Sequence, residues 1–377
     1  MTTFVSAVGM GRFGKRAETL IDLADEAAGY AREIVGDKPI DLVVVGSMIA
    51  HGPNGPEALG PRLAGRLGLE AAHGIRVDAA SATGAMAFHA AVLALESGRY
   101  RRALVIAAEK MTDRPTPENT RDLSASLHFS EVAHGATMPA LASMVAQAYT
   151  ARHGVGPEAY DEFVVHERAE ATRNANAHFQ KPVTASEVAA SRPVALPLRL
   201  LHCSAISDGA VALVIERGIG PATVLGLGQG FEALRLVDRV DMTTFAATRT
   251  AASQAYGAAH LTRKDVDVVE MHDAFAPFGL IHIEDLGLCG PGEAASWYAR
   301  GWGKHDGRTP VNPSGGVIGR GHPVAASGLA EIGEIALQLR EEAGSHSVSR
   351  RPRVGLAQAV GGLASQNFVT ILGNGGP

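Results

Sequence analysis

The chain has 377 residues, of which 46 % are hydrophobic, 19 % charged and 5 % aromatic, with a formal net charge of −5. This apolar content suffices for a large core and excludes a disordered chain, and an acidic balance with a sequence pI of about 6.3 argues against nucleic acid as the main ligand. Two cysteines, Cys203 and Cys289, cannot build a disulfide framework or, by themselves, a structural zinc site, so a reduced, cytoplasmic setting without a metal is expected.

Residues 1–8 are too short for a signal-peptide core and run into Arg12, Lys15 and Arg16, and no charge-free apolar window is long enough to span a membrane. Residues 2–8 alternate like a strand, and 18–35 carry apolar positions at helical spacing. Asp41 then leads into Leu-Val-Val-Val-Gly, a buried strand pattern. A small-residue helix at 84–97 and a strand at 102–108 come next. Strand and helix in alternation predict an α/β layered domain.

From 114 to 215 the chain is more polar and is punctuated by Pro115, Pro117, Pro139, Pro157, Pro182, Pro193 and Pro197. This reads as a loop domain inserted over one side of the core. The first phrase then returns: a shift of 226 places Tyr30 on Tyr256, Lys38 on Lys264 and Asp41 on Asp267. A helix at 324–341 and a strand at 353–359 complete a second copy, which predicts a duplicated fold. The expected segments are 1–113, 114–215 and 216–377. A further irregular stretch, 289–316, holds both tryptophans, Trp297 and Trp302.

Five motifs stand out. Gly9-Met-Gly11-Arg-Phe-Gly14 matches a dinucleotide pattern, but the next strand ends without the acid a ribose needs, so a tight glycine turn is the better reading. Val77-Asp-Ala-Ala-Ser81-Ala-Thr83-Gly84 turns from strand to helix, where Ser81 is either a helix cap or a side chain presented to a cleft. His272-Asp273 ends the repeated strand, a place suited to proton transfer or to a buried structural histidine. In Asn312-Pro-Ser-Gly-Gly-Val-Ile-Gly-Arg-Gly-His322-Pro323 the prolines fix bends, and Pro323 suits a first helical turn. His322 therefore sits at the second copy's counterpart of the Ser81 elbow. Gln358-Ala-Val-Gly361-Gly362 ends the last strand with paired glycines that let the backbone approach a ligand.

Together with Ala107-Ala-Glu-Lys-Met111, Gly135-Ala-Thr-Met-Pro139-Ala140 and Ser207-Asp-Gly-Ala210, these phrases make nearly the whole chain resemble the thiolase superfamily, in its sterol-carrier-protein-x branch. The resemblance implies two similar halves stacked as five layers, α-β-α-β-α, plus a loop domain. It implies an enzyme that binds coenzyme A thioesters and makes or breaks the carbon–carbon bond next to the thioester carbonyl, with a place in lipid or aromatic-acid degradation. His322 and His272 would line one oxyanion hole, and the N–H groups of Ser81 and Gly361 the other. Ser314, Gly315 and Arg173 are candidates to contact coenzyme A, with Lys181 and Arg199 as further cations. Tyr298 and Asp273 are candidate acid–base groups. A homodimer is implied, and so is a small partner subunit of the OB-fold or zinc-ribbon kind.

The chain departs from that family where nucleophiles are expected. The acylated cysteine falls on Ser81, and the second cysteine falls on Ala274 or, in other thiolases, on Ala359. A serine hydroxyl is far less acidic than a thiol and needs a strong base beside it. Acyl transfer through Ser81, aldol-type cleavage of a 3-hydroxyacyl-CoA without an acyl-enzyme, ordinary thiolysis with Ser81 an engineered replacement of the catalytic cysteine, and a non-catalytic coenzyme A-binding scaffold subunit all remain open at this level.

Overall fold

The computed structural model describes residues 2–49 and 58–374. The N-terminal half runs β1 (Thr3–Met10), α1 (Leu20–Val35), β2 (Leu42–Gly46), α2 (Leu59–Leu67), β3 (His73–Val77), α3 (Thr83–Glu96) and β4 (Arg102–Glu109). Thr19 and Asp22 form a capping box that starts α1, and Gly36, at φ 66°, ends it. Gly9 of β1 has no room for a side chain, because a Cβ there would collide with the Ala27 carbonyl of α1. The N–H groups after it in the chain are also spent: Gly14 pairs with Asp208, and Arg16 N donates to Asp208 Oδ2 at 3.0 Å. The glycine motif is thus a packing turn.

The chain then leaves the sheet through α4 (Thr116–Ser124), α5 (Phe129–Ala133), α6 (Met138–His153), α7 (Pro157–Ala171), α8 (Ala185–Ala190), β5 (Pro193–Ala195) and β6 (Leu198–Arg199). This insertion is largely helical. Pro115 caps α4, while Pro139 and Pro157 lie in the first turns of α6 and α7, so prolines that suggested loops mark helix starts instead. The chain re-enters the sheet with β7 (Gly209–Arg217), which pairs with β4 from Arg102↔Glu216 to Glu109↔Gly209. The boundary expected at 215 falls inside this buried strand, and the insertion ends before Gly209.

The C-terminal half runs β8 (Thr223–Phe231), α9 (Ala246–Ala259), β9 (Val268–Met271), α10 (Ala276–Asp285), α11 (Ala294–Ala299), α12 (Gly316–Arg320), α13 (Val324–Leu339), β10 (Val354–Gly361) and β11 (Gln366–Gly373). The strand order is β3-β2-β4-β7-β1-β8-β11-β10-β9. Within the sheet the two halves join where β1 pairs with β8 at Phe4↔Thr223. Outward from that seam they mirror each other, with antiparallel partners first and then parallel strands. Val311 bridges parallel to Val269 where the first half has β3.

The duplication is legible atom by atom. Asp41 Oδ2 accepts the N–H groups of Arg101 and Arg102 at the start of β4, and Asp267 Oδ2 accepts those of Arg353 and Val354 at the start of β10. Side-chain alternation along the strands produces the layers. Leu42, Val44, Ala103, Val105, Leu213 and Ile215 face inward onto α3 and α13, as do Val268, Ala357, Ala359 and Phe368 from the other half. Val43, Val45, Leu104 and Ile106 face α1 and α2, while Val269, Leu356, Val369 and Ile371 face α9 and α10. The result is α-β-α-β-α. Among the described residues no helix is long and apolar enough to cross a membrane.

Candidate active site

The helices behind the two elbows touch through glycines. A Cβ on Gly84 of α3 would lie 2.7 Å from the Ala325 carbonyl oxygen of α13, and one on Gly328 would lie 3.2 Å from Ala85 N. Gly84 comes three residues after Ser81, and Ala325 three after His322. Each elbow is locally braced. Thr83 Oγ1 accepts Ala79 N–H at 2.9 Å and donates to Ala80 O at 2.6 Å, with Ala80 at φ 52°. Ser81 is not a cap; its hydroxyl makes no hydrogen bond among the described residues, and it stays partly exposed. Gly361 completes this corner, since a Cβ there would collide with the Ala79 carbonyl. Beside it, a cavity of about 530 Å³ is lined by Met48, Ile49, Ala79, Ala80, Leu234 and Gly362, among others.

His322 stands just before α13, with Pro323 at its cap. Its N–H donates to Ser207 Oγ at 3.2 Å, Ser207 also meets His178 Nδ1 at 2.8 Å, and its own Nδ1 meets Ser327 Oγ at 2.8 Å. The ring of His272, at the end of β9, lies edge-on to it with centroids 5.0 Å apart. His272 N donates to Gln358 Oε1 at 2.9 Å, and its Nδ1 meets Glu331 Oε1 at 2.9 Å. With each Nδ1 engaged, the Nε2 atoms are the remaining functional positions. Burial, reinforced by Arg320, holds His272 down at about 3, and burial also pushes His322 well below the ordinary histidine range; both rings are neutral.

Other expected site residues serve the scaffold. Asp273 is fully buried and accepts the N–H groups of Val317 and Ile318, capping α12; burial lifts its carboxyl to about 7. Ser314 is also fully buried, its Oγ donating to Glu270 Oε2 at 2.7 Å and accepting from Arg320 at 2.9 Å. A Cβ on Gly315 would lie 2.6 Å from Ala171 Cα, and one on Gly319 would lie 2.6 Å from the Glu167 carbonyl oxygen, so these glycines admit α7 rather than a ligand. Arg173 sits on the surface 3.7 Å from Glu170, Lys181 is exposed, and Arg199 donates to Ser191 O. The Tyr298 hydroxyl is buried without a partner among the described residues, against Phe163, His166 and Trp297. Burial, with Glu167 and Asp273 nearby, raises that phenol further from ionisation.

Neither cysteine replaces the missing nucleophile. Cys203 lies next to Phe275 but turns its thiol to Arg199 O at 3.5 Å, and burial pushes it up to about 12. Cys289 lines a separate cavity near the C-terminal end of α10, and burial pushes it likewise to about 12. Sequence reasoning missed Ser327, Glu331 and Glu109. Glu109 accepts Ser47 Oγ at 2.8 Å and Met48 N at 2.9 Å, and burial lifts it to about 7. The available signal for Glu331 was an acid inside the apolar run Gly-Leu-Ala-Glu-Ile-Gly-Glu-Ile-Ala-Leu.

Comparison with known proteins agrees with this architecture. Residues 1–218 match the family model described as thiolase, N-terminal domain, and residues 228–374 match that described as thiolase C-terminal domain-like. An acetyl-CoA acetyltransferase of Methanothermobacter thermautotrophicus is 36 % identical over 379 residues, covering 97 % of this chain and 98 % of that protein. Sterol carrier protein 2 of Gallus gallus is 29 % identical, covering 99 % of this chain and 72 % of that protein. The solved Ltp2-ChsH2(DUF35) aldolase shares the fold with a TM-score of 0.83 at 23 % identity, covering 99 % of this chain and 98 % of that one.

Proposed function

The chain belongs to the thiolase family of acyl-CoA enzymes, in the branch of sterol carrier protein 2, and from that premise we propose that it cleaves or forms the carbon–carbon bond next to an acyl-CoA carbonyl without an acyl-enzyme. The reaction that fits is retro-aldol cleavage of a 3-hydroxyacyl-CoA, or its reverse. A single observation carries the reading: two imidazoles kept neutral by burial stand with centroids 5.0 Å apart beside the start of α13, the helix that packs on the one behind Ser81, and no base engages the Ser81 hydroxyl among the described residues.

In the forward direction a base takes the 3-hydroxyl proton, and the oxygen lone pair becomes a carbonyl. The C2–C3 bond breaks in the same step as that carbonyl forms, and its electron pair passes into the thioester enolate. Proton return to C2 gives the shortened acyl-CoA and an aldehyde or ketone. His322 suits the base, because Ser327 Oγ donates back to Pro323 O at 3.3 Å and so accepts from His322 Nδ1–H, leaving Nε2 free. His272 suits the enolate oxygen, where one aimed donor contributes about 3–4 kcal/mol. The N–H groups of Ser81 and Gly361 would supply the second oxyanion site. The chain would act as a homodimer, and the DUF35 component of the aldolase sharing this fold suggests a small partner subunit.

Incubation with a 3-hydroxyacyl-CoA, followed by carbonyl-product detection and intact mass, tests this. Expected are a free carbonyl product, a shortened acyl-CoA and an unmodified protein mass. An acyl adduct on the Ser81 peptide, formed from acetyl-CoA or a 3-oxoacyl-CoA, would replace this reading with acyl transfer, the activity named for the methanogen relative.

A further inference from the structure

We propose that Glu331 is a positioning residue that donates a hydrogen bond to Nδ1 of His272 and thereby makes the Nε2–H of that ring a donor aimed into the cleft. The inference rests on the reading of the cleft as an acyl-CoA site and assigns the group that sets its polarity.

The contact is 2.9 Å, between side chains 3 % and 1 % exposed. Glu331 lies in the interior of α13, where Leu329, Ala330, Ile332 and Ile335 are buried as well, and its second oxygen has no partner among the described residues. The nearby guanidinium of Arg320 directs its hydrogen bonds to Glu270 and Ser314. A carboxylate at 331 would therefore be a buried anion whose one hydrogen-bond partner is a neutral ring; the charge of Arg320 favours it but is outweighed by burial, so it is costly. The alternative, a proton moved onto His272, would place an imidazolium facing the His322 ring, with the charge of Arg320 and the ring of His282 also close. From β10 the ring's residue meets the uncharged amide of Gln358. Among the described residues, no group on these packed elements rewards an imidazolium except Glu331 itself. Burial raises Glu331 well above the usual carboxylate range and lowers His272, so both surroundings leave the shared proton on oxygen.

This proton placement sets the role of the ring. A neutral imidazole that accepts at Nδ1 carries its single hydrogen on Nε2, so His272 polarises the thioester oxygen and cannot be the base. Glutamine at 331 would preserve this arrangement, because its amide N–H also donates to Nδ1.

The full-length protein would be compared with Glu331→Gln and Glu331→Ala. The His272 tautomer is read from ring ¹⁵N and ¹³C shifts, assigned by subtraction with His272→Gln, alongside kcat and KM on a 3-hydroxyacyl-CoA between roughly pH 5 and 9. Expected are Nε2–H in wild type and Glu331→Gln with kcat retained within about threefold. Glu331→Ala should lose about 100-fold in kcat with KM little changed. An Nδ1–H ring in wild type, or a Glu331→Gln kcat as low as that of Glu331→Ala, overturns the proposal. If Glu331→Ala does not fold, wild type and Glu331→Gln decide alone. The tautomer reads out without turnover: an inactive wild type with Nε2–H would count against the acyl-CoA reading, whereas an active one with Nδ1–H would overturn the Glu331 assignment alone.

Discussion

Ser327 and Glu331 stand one turn apart on α13, and each holds the Nδ1 of a different histidine, Ser327 that of His322 at 2.8 Å and Glu331 that of His272 at 2.9 Å. Residues four apart share a helix face, so one rigid element orients both rings. Replacing Ser327 by Ala should release only the His322 ring. A kcat decrease of about tenfold, roughly 1.4 kcal/mol of barrier, is expected with no change in the His272 tautomer; an unchanged kcat would remove Ser327 from the site.

Removing His322 itself is a larger change. His322→Ala should lower kcat by about 10²–10³-fold, with little effect on thermal stability, because its side chain hydrogen-bonds Ser327 alone among the described residues. Steady-state kinetics beside a melting curve would show this. A variant of full activity would end the assignment of a shared pocket.

Ser81 separates the two mechanisms. Ser81→Ala removes a hydroxyl without a partner among the described residues, so cleavage should persist within about threefold if no acyl-enzyme forms, and should vanish if Ser81 is acylated. Rates of carbonyl release for wild type and variant give the answer.

The crossing of α3 and α13 can be probed at Gly84, where a Cβ would press on Leu329 N at 2.5 Å and Ala325 O at 2.7 Å. Gly84→Ala should cost about 1–3 kcal/mol by overpacking and should reduce kcat too, since it separates the elbows. Urea unfolding gives the first quantity. Full stability would mean that the crossing is looser than these contacts indicate.

His89 predicts an acid limb of stability. The ring is buried between Phe88 and Phe368, bonded to Thr370 Oγ1 at 2.9 Å, and burial lowers it from 6.5 to about 3. Its folded value is below its unfolded one, so the unfolded chain binds more protons in this window. Stability is complete above pH 6.5 and falls as the pH drops toward about 3, at up to about 1.4 kcal/mol per pH unit. Glu109, Asp273 and Asp285, each raised to about 7, act with the opposite sign. The difference between wild type and His89→Gln isolates one proton: the variant's unfolding free energy should fall less steeply between pH 6.5 and 4, and parallel curves would refute the assignment.

The elements legible in the chain were those with local periodicity. The strand at 42–46, the helix at 20–35 and the repeated Asp41 and Asp267 phrases needed nothing beyond spacing and burial pattern. The elbows at Ser81 and His322 were legible because small residues, glycine and proline restrict the backbone where they stand. The prolines at 115, 139 and 157 misled because proline starts helices as readily as it interrupts them, and the residues on its C-terminal side decide between the two.

Side-chain partners were another matter. Ser314 and Gly315 looked like ligand contacts in the glycine loop and Asp273 like an acid–base group beside His272, but the packing of α7, the burial of Glu270 and Arg320 and the start of α12 absorb them. Glu331 meets His272 across 59 positions of chain, and the proton they share depends on water excluded by residues from both halves. Backbone periodicity and turn chemistry are properties of neighbours along the chain, so the amino-acid order reveals them. Desolvation and hydrogen-bond partnership are properties of neighbours in space, and they exist only once the halves have packed together.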